Sequence, residues 1–131
     1  MPRKSAVASK KTGRRGVTFG EVRAIFLALP GVEQGTSYGT PAFKLKGKFM
    51  ARLRDDDPDV LVLKPIEDDE QRFLMETQPR AFFKTPHYVG SPTILIRLSH
   101  VDRAQLHELV EQCWRRLAPK RLLQQVEASK T

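Results

Sequence analysis

The sequence predicts an α+β fold in which helices cover one face of a mostly antiparallel sheet. Apolar residues spaced by two gather in the middle of the chain, where very short turns join them. Short connections favour antiparallel neighbours. Helical patterns lie before, between and after these segments, and no strand–helix–strand unit repeats. A parallel sheet needs such units, so we expect an antiparallel one.

The first helix is expected over about residues 18–29. Thr18 and Glu21 have the spacing of a capping box, in which the Glu21 amide donates to the threonine hydroxyl and the Thr18 amide donates to the glutamate carboxylate. Pro30-Gly31 ends the helix, because proline cannot continue the backbone hydrogen-bond ladder. Apolar residues recur within it at helical spacing: Phe19, Val22, Phe26 and Leu29.

Residues 36–54 predict a β-hairpin with two unlike faces. Alternation with period two runs on both sides of a tight turn near Lys46-Gly47. A strand over 60–63 follows after a polar turn, so three adjacent antiparallel strands are expected. The alternation assigns Phe43, Leu45, Phe49, Ala51 and Leu53 to an apolar face, and Lys44, Lys46, Lys48, Arg52 and Arg54 to a cationic face.

The remaining elements follow from apolar periodicity and turn residues. An acidic run opens the second helix, where the helix dipole favours anions, and we interpret it as a solvated helix start rather than a metal site. Asp102 is the expected N-cap of the third helix. The predicted elements are a helix over 66–75, an extended piece over 81–84, an irregular loop over 85–92, a strand over 93–98, a helix over 103–117 and one or two helical turns within 120–127.

The formal net charge is +8, and most of it lies at the N-terminus. Residues 2–15 contain six basic residues and no acid, which leaves 17 basic and 15 acidic residues elsewhere. We expect residues 1–16 to be a disordered basic leader, 17–123 to form a single domain and 124–131 to be a tail. The leader is either a nucleic-acid-binding arm, through Lys10, Lys11, Arg14 and Arg15, or only a solubilising segment.

The sequence contains no constellation of residues that indicates catalysis. His87 lies in a constrained loop and is expected to pin that loop rather than to act as a base. Cys113 falls on an apolar helix stripe, where a thiol is usually buried and inert. Motifs for zinc or nucleotide phosphates do not occur. We therefore expect a non-enzymatic protein without metal or cofactor.

Cysteine usage and apolar run lengths bear on location. A single cysteine fits a reducing cytoplasm. No apolar run is long enough to span a bilayer, and no apolar stretch follows the basic N-terminus as a secretion signal requires. We expect a cytoplasmic protein that does not bind membranes, and a monomer is favoured.

Phosphate binding fits the cations of the hairpin better than catalysis does. Such contacts would make binding weaker with salt. The alternative is a solvated strand face, whose cations pair with the acids of residues 55–59. Exposed aromatic residues are expected to be few, which favours duplex contact over stacking on single-stranded bases. A second basic cluster lies near the C-terminus and includes Arg116, Lys120 and Arg121.

Several motifs occur in a characteristic order. They are Leu29-Pro30-Gly31-Val32-Glu33, Thr36-Ser37-Tyr38-Gly39-Thr40-Pro41-Ala42-Phe43-Lys44, Lys48-Phe49-Met50-Ala51-Arg52-Leu53, Thr85-Pro86-His87-Tyr88 with Gly90 and Pro92, and Trp114 with Ala118-Pro119-Lys120-Arg121-Leu122. Over about residues 17–123 the chain resembles the MmcQ/YjbR-like family. The resemblance implies a frataxin-like fold, described for this family as a double-wing DNA-binding motif, and carries no enzymatic activity.

The resemblance also marks candidate surface residues: Tyr38, Lys44, Arg52, His87, Tyr88 and Lys120. Ser91 departs from the family, which commonly has an aromatic residue at that position. If the aromatic residue of the family helps to form a pocket, that pocket is smaller in this chain, which has Ser91 instead.

Two hypotheses follow. The first is a DNA-binding protein with low sequence specificity, which contacts the phosphate backbone of double-stranded DNA through the hairpin and the leader. The second is a protein-interaction or small-ligand module with a pocket around Tyr38, His87 and Tyr88, and with Arg52 or Lys120 as an anion anchor. Convergence of these side chains on one surface would distinguish the second hypothesis from the first.

Overall fold

The computed structural model describes residues 16–129, so Lys10, Lys11, Arg14 and Arg15 of the predicted leader lie outside the described residues. The order of elements confirms the predicted α+β class. In chain order the elements are α1 (Phe19–Leu27), β1 (Val32–Ser37), β2 (Thr40–Leu45), β3 (Lys48–Leu53), β4 (Val60–Leu63), α2 (Asp68–Thr77), β5 (Phe82–Phe83), a 3-10 turn (Pro86–Tyr88), β6 (Ile94–Arg97), α3 (Arg103–Leu117) and α4 (Lys120–Ser129). The last helix is longer than the one or two turns expected.

The predicted capping box opens α1. The Glu21 amide donates to the Thr18 hydroxyl over 3.1 Å, and the Thr18 amide donates to a Glu21 carboxylate oxygen over 2.9 Å. These bonds satisfy amides that have no partner within the helix. The helix therefore begins where the sequence predicts.

Within the described residues, six strands form one sheet in the order β1-β2-β3-β4-β6-β5, and every neighbouring pair is antiparallel. The three adjacent strands predicted from the hairpin are β2, β3 and β4. Strand β1 adds a further strand at one edge and joins β2 through the turn Tyr38-Gly39. Strand β6 pairs with both β4 and β5, which brings residues 82–97 to the side of β4 that is away from the hairpin.

The helices pack on one face of the sheet, which we call the inner face. Phe26 of α1 stacks on Phe43 of β2 with ring centroids 4.4 Å apart, and the Trp114 indole of α3 donates to the Pro30 carbonyl over 2.8 Å. The other face, called the outer face, carries a smaller apolar cluster of Val60, Val62 and Leu95, against which Phe83 and Tyr88 pack instead of a helix.

A β-bulge changes the predicted faces of the hairpin. Phe43 pairs with Ala51, but Lys44 pairs with Phe49, so Met50 is an extra residue in β3. Because an extra residue reverses the alternation, Met50 is fully buried in the inner core and Phe49 turns to the outer face beside Lys44. The prediction that Phe49 belongs to the inner apolar face was wrong.

Candidate binding cleft

The hairpin cations do not form the single face that alternation predicted. Lys44 and Arg52 lie on the outer face, opposite Phe49 and Val62 of the neighbouring strands. Lys48 lies opposite Leu45, which belongs to the inner core, and therefore lies on the inner face of the sheet. Lys46 occupies the turn, with a left-handed φ of 51°. Because of the bulge and the turn, these cations are divided among the outer face, the inner face and the tip of the hairpin.

Arg54 is already neutralised by a neighbouring acid. Its Nε and Nη2 atoms donate to the two carboxylate oxygens of Asp56, each over 2.8 Å. This bidentate geometry occupies the donors that an arginine uses for phosphate. The alternative of a strand cation paired to the acidic turn is correct for this residue.

A cleft of about 680 Å³ opens on the outer face between β3, β4, the β1–β2 turn and the loop over 85–92. It combines aromatic rings with cations. The lining includes Tyr38, Phe49, Arg52, Lys64, His87 and Tyr88. The three residues of the predicted pocket therefore meet on one surface together with Arg52. The other suggested anchor, Lys120, begins α4 and does not line this cleft.

Arg52 is held in the cleft by neutral groups. Its guanidinium carbon lies 5.0 Å from the centroid of the Tyr38 ring, and Nη2 donates to the Tyr88 hydroxyl over 3.2 Å. Nη1 donates to the Leu53 carbonyl over 3.3 Å. Among the described residues no carboxylate forms an ion pair with it. Arg52 is thus an oriented cation without a counter-ion in the described part of the chain.

Lys64 is a second cation of this kind. It directly follows β4 and lies two residues beyond Val62. Its Nζ atom is 5.6 Å from the centroid of the Phe49 ring. No ion pair involves Lys64 within residues 16–129. Sequence analysis missed Lys64, although spacing by two from Val62 could have placed it on the same face.

Tyr38 projects from a two-residue turn between β1 and β2. It has a φ of 55°, and the following Gly39 has a φ of 77°. Glycine, asparagine and aspartate tolerate this left-handed conformation, whereas a bulky side chain is strained there. The Tyr38 side chain is nevertheless large and 80% exposed.

Buried hydrogen bonds fix the loop that carries His87 and Tyr88. Gln71 of α2 is 2% exposed, and its Nε2 donates to the carbonyls of Ile66 and Ser91 over 2.8 and 3.1 Å. The Lys84 ammonium donates to Gln71 Oε1 over 2.7 Å and to the Ser91 carbonyl over 2.8 Å. Sequence analysis missed this support, because nothing in the polar pattern of α2 distinguishes a buried glutamine.

His87 does not pin the loop as predicted. Its ring packs edge-on against Tyr88, with centroids 4.8 Å apart, and within the described residues it makes no hydrogen bond to backbone. The Gln71 and Lys84 bonds hold the loop in its place. His87 is therefore an exposed ring at the rim of the cleft.

The remaining predicted cations lie on the helix side. Lys46 and Arg121 line a second groove of about 470 Å³, together with Pro119, Leu122 and Gln125. We call this surface the tip groove. Lys48 and Lys120 are both exposed. In the chain, Lys48 follows the turn that contains Lys46, and Lys120 directly precedes Arg121. Within residues 16–129, no acidic residue lines the groove.

Arg116 does not join the tip groove. Its Nη2 lies 3.0 Å from Glu67 and 3.8 Å from Glu70, and its Nη1 donates to the Pro65 carbonyl over 3.0 Å. Arg116 therefore ties α3 to the start of α2. The acidic run of α2 serves as its partner.

Two sets of side chains of types that serve in catalytic sites, namely Ser99 with His100 and Asp59, and Cys113, lack the arrangement of a nucleophilic site. The Ser99 hydroxyl donates to Asp59 over 2.7 Å and lies 3.0 Å from His100 Nδ1. The serine hydroxyl thus directs its hydrogen bond to the carboxylate rather than to the imidazole, and among the described residues no acid orients that imidazole, unlike in a catalytic triad. Burial raises the pKa of the Cys113 thiol to about 12, so this cysteine is a poor nucleophile.

The described residues contain neither a cluster of metal ligands nor a helix that could cross a membrane. No group of three or more His, Cys, Asp or Glu residues within 16–129 could hold a metal ion. In the same part of the chain, no helix has the length and apolar character needed to cross a membrane.

The fold and the cleft define a class of small α+β domain, with helices on one side of an antiparallel sheet and an open cationic and aromatic cleft on the other. The family model YjbR matches residues 27–116, and the chain belongs to this family. This confirms the resemblance seen in the sequence.

The chain is similar to proteins of two mycobacteria and to a solved structure from Deinococcus radiodurans. Uncharacterized proteins of Mycobacterium bovis and Mycobacterium tuberculosis are each 29% identical over 86 residues, which is 64% of this chain and 67% of theirs. The crystal structure of a Deinococcus radiodurans protein with a DUF419 domain has a TM-score of 0.66 at 19% identity and covers 79% of this chain and 80% of its own. At that identity the likeness concerns the fold alone.

Proposed function

We propose that this protein is a non-enzymatic binding protein whose outer-face cleft captures an anionic ligand. The observation that carries the proposal is Arg52, which Tyr38 and Tyr88 orient while no carboxylate within residues 16–129 neutralises it. An arginine fixed in this way keeps directional donors for a carboxylate or phosphate. The volume of about 680 Å³ lies within the range of small-ligand sites.

Calorimetric titration of the full chain with phosphate and sulfate at low ionic strength tests this proposal. Arg52→Ala should weaken binding by about tenfold or more, because a hydrogen bond to a charged group contributes roughly 1.5–3 kcal/mol. Arg54→Ala is the matched control, since Arg54 also lines the cleft but is already neutralised by Asp56. Its effect should stay below about threefold. Equal effects of the two substitutions, or no anion binding at all, would refute the proposal.

A second candidate function is contact with the backbone of double-stranded DNA. The tip groove favours it, because Lys46 and Arg121 line one surface without an acid. Lys48 lies two residues after Lys46, Lys120 directly precedes Arg121, and both are exposed, so four cations are candidates for phosphate contact. Contacts to phosphates carry no sequence information by themselves, so low sequence specificity is expected.

Fluorescence anisotropy with a labelled duplex across a range of salt tests the second candidate. Replacement of Lys46, Lys48 and Arg121 by alanine should lower the slope of log K against log salt by about 2–3, close to one unit for each lost phosphate contact. Both proteins retain the leader, so its contribution cancels in the comparison. An unchanged slope would remove the tip groove as a DNA-binding surface.

A further inference from the structure

We infer that the ligand of the cleft is a nucleotide, with its phosphate on Arg52 and Lys64 and its base stacked on an exposed aromatic ring. This inference rests on the proposed function and gives the class of its ligand. It requires the cleft to offer two kinds of contact within reach of each other, namely cations for the phosphate and aromatic faces for the base.

The cations lie at a suitable spacing. Arg52 pairs across the sheet with Val62, and Lys64 is two residues further along the same face. Two residues of a strand span about 7 Å, so both long side chains can reach one phosphate group. Neither cation has an ion-pair partner among the described residues.

The aromatic faces come from three separate segments. Tyr38 lies on the β1–β2 turn, Phe49 on β3, and His87 and Tyr88 on the 3-10 turn, and all four rings line the cleft. Stacking on such rings accepts any base, since every base has a π-face. An anion without a planar ring, such as phosphate itself, would leave these contacts unused.

The backbone of Tyr38 argues that its ring has a role beyond stability. A φ of 55° is strained for a bulky residue, and the ring is 80% exposed, so burial does not offset the strain. An asparagine or glycine would suit the turn better. Strain retained at an exposed residue points to binding, and the position of Tyr38 beside Arg52 indicates where that binding occurs.

The cleft fits one nucleotide in an unpaired form. Bases of a duplex are stacked and paired, so a ring on the surface of a protein cannot stack on them without opening the duplex. A free mononucleotide and one residue of a single strand offer the same chemistry. Asp55 at the same cleft can accept a hydrogen bond from an amino group of a base or from a sugar hydroxyl.

Calorimetric titration of the full chain tests the inference with a matched set of compounds: deoxyadenosine 5′-monophosphate, deoxyribose 5-phosphate, deoxyadenosine and inorganic phosphate. The nucleotide should bind at least about tenfold more tightly than deoxyribose 5-phosphate, and Tyr38→Ala should abolish that difference. Tyr38→Phe should retain it, because the ring remains. Phe73→Ala is the control, because it removes an exposed aromatic ring that does not line the cleft, and it should change nothing.

An oligonucleotide of eight deoxyadenosines distinguishes a single strand from a free mononucleotide as the source of the bound nucleotide. Tighter binding per site than the mononucleotide, lost in Tyr38→Ala, identifies a single strand, whereas equal affinity identifies a free nucleotide. The leader contributes equally to both proteins, so the comparison with Tyr38→Ala isolates the cleft. Either result supports a nucleotide ligand.

Failure of this inference can be told apart from failure of the proposed function. If deoxyribose 5-phosphate binds as tightly as the nucleotide, or if Tyr38→Ala leaves nucleotide binding unchanged, the nucleotide inference is overturned while the anion site stands. If no phosphate compound binds, or if Arg52→Ala has no effect on any of them, both are overturned.

Discussion

The two hairpin turns contain a bulky residue followed by glycine, and the first residue adopts left-handed backbone in each. The φ values are 55° at Tyr38 and 51° at Lys46. The sequence predicted the second turn, through Gly47, but not the first, and turn chemistry alone would favour asparagine before either glycine. The side chains therefore reflect what each turn presents to solvent, an aromatic ring at one and a cation at the other.

At Tyr38 we expect asparagine to be more stable than alanine by about 1 kcal/mol, because asparagine tolerates left-handed backbone. Both substitutions remove the ring and its contact with Arg52, so their difference isolates the backbone. Urea denaturation measures the free energy of unfolding of each variant. The pair Lys46→Asn and Lys46→Ala should show the same difference at the second turn. Equal stability of asparagine and alanine at both positions would contradict the left-handed conformation.

The buried Cys113 thiol should make stability depend on alkaline pH. Burial raises its pKa from 9.0 to about 12, so the folded protein keeps the thiol proton that the unfolded chain loses. Its contribution is complete below about pH 9 and is lost as the pH rises toward 12. Urea denaturation of wild type and Cys113→Ala should show a stability difference that falls by about 1.4 kcal/mol per pH unit in that interval. A difference independent of pH would contradict the burial of this thiol.

The elements divide into those set by local sequence and those set by the sheet. Apolar periodicity, a capping box and glycine turns predicted α1, α3 and the strand pairing of the hairpin. The bulge was not predictable, because Phe49 and Met50 are both large and apolar and alternation alone assigns the ring to the core. Packing against the buried residues of the inner face decides between them, and that packing involves distant segments.

The bulge predicts an unusual order of cost for two adjacent residues. Met50→Ala should cost about 2–5 kcal/mol of stability, because Met50 is fully buried. Phe49→Ala should cost no more than about 1 kcal/mol, because its ring lies partly exposed on the outer face. Chemical denaturation of both variants checks this order. A larger loss of stability for Phe49→Ala would indicate that the alternation is regular, with Phe49 in the inner core and not in the cleft.

At the scale of the whole molecule, the sheet order assembles the cleft. Tyr38, Arg52, Lys64 and Tyr88 are far apart in the chain, and they meet because β3 and β4 are neighbours and β6 lies beside β4. Sequence analysis named three of these residues from a family resemblance and from an irregular loop. The second hypothesis grouped them in one pocket, but the sequence alone could not establish that they meet, because the contacts between strands are long-range and no local pattern encodes them.

The sheet also separates the two candidate surfaces. The cleft lies on the outer face, whereas α4 and the tip groove lie on the helix side, where Leu122 and Leu123 pack on the inner core. Two sites on opposite faces without shared residues should act independently. A ligand in the cleft should therefore leave duplex binding at the tip groove unchanged.

Anisotropy with a labelled duplex, in the presence and absence of saturating deoxyadenosine 5′-monophosphate at matched ionic strength, measures this independence. We expect the duplex affinity to change by less than about twofold, since additive sites agree within about 0.3–0.5 kcal/mol. Deoxyribose 5-phosphate controls for charge. Arg52→Ala should weaken nucleotide binding alone, and Lys46→Ala with Arg121→Ala should weaken duplex binding alone. Displacement of the duplex by the nucleotide would mean that phosphates of both ligands compete for the same cations, and the outer face would then be the surface that binds DNA.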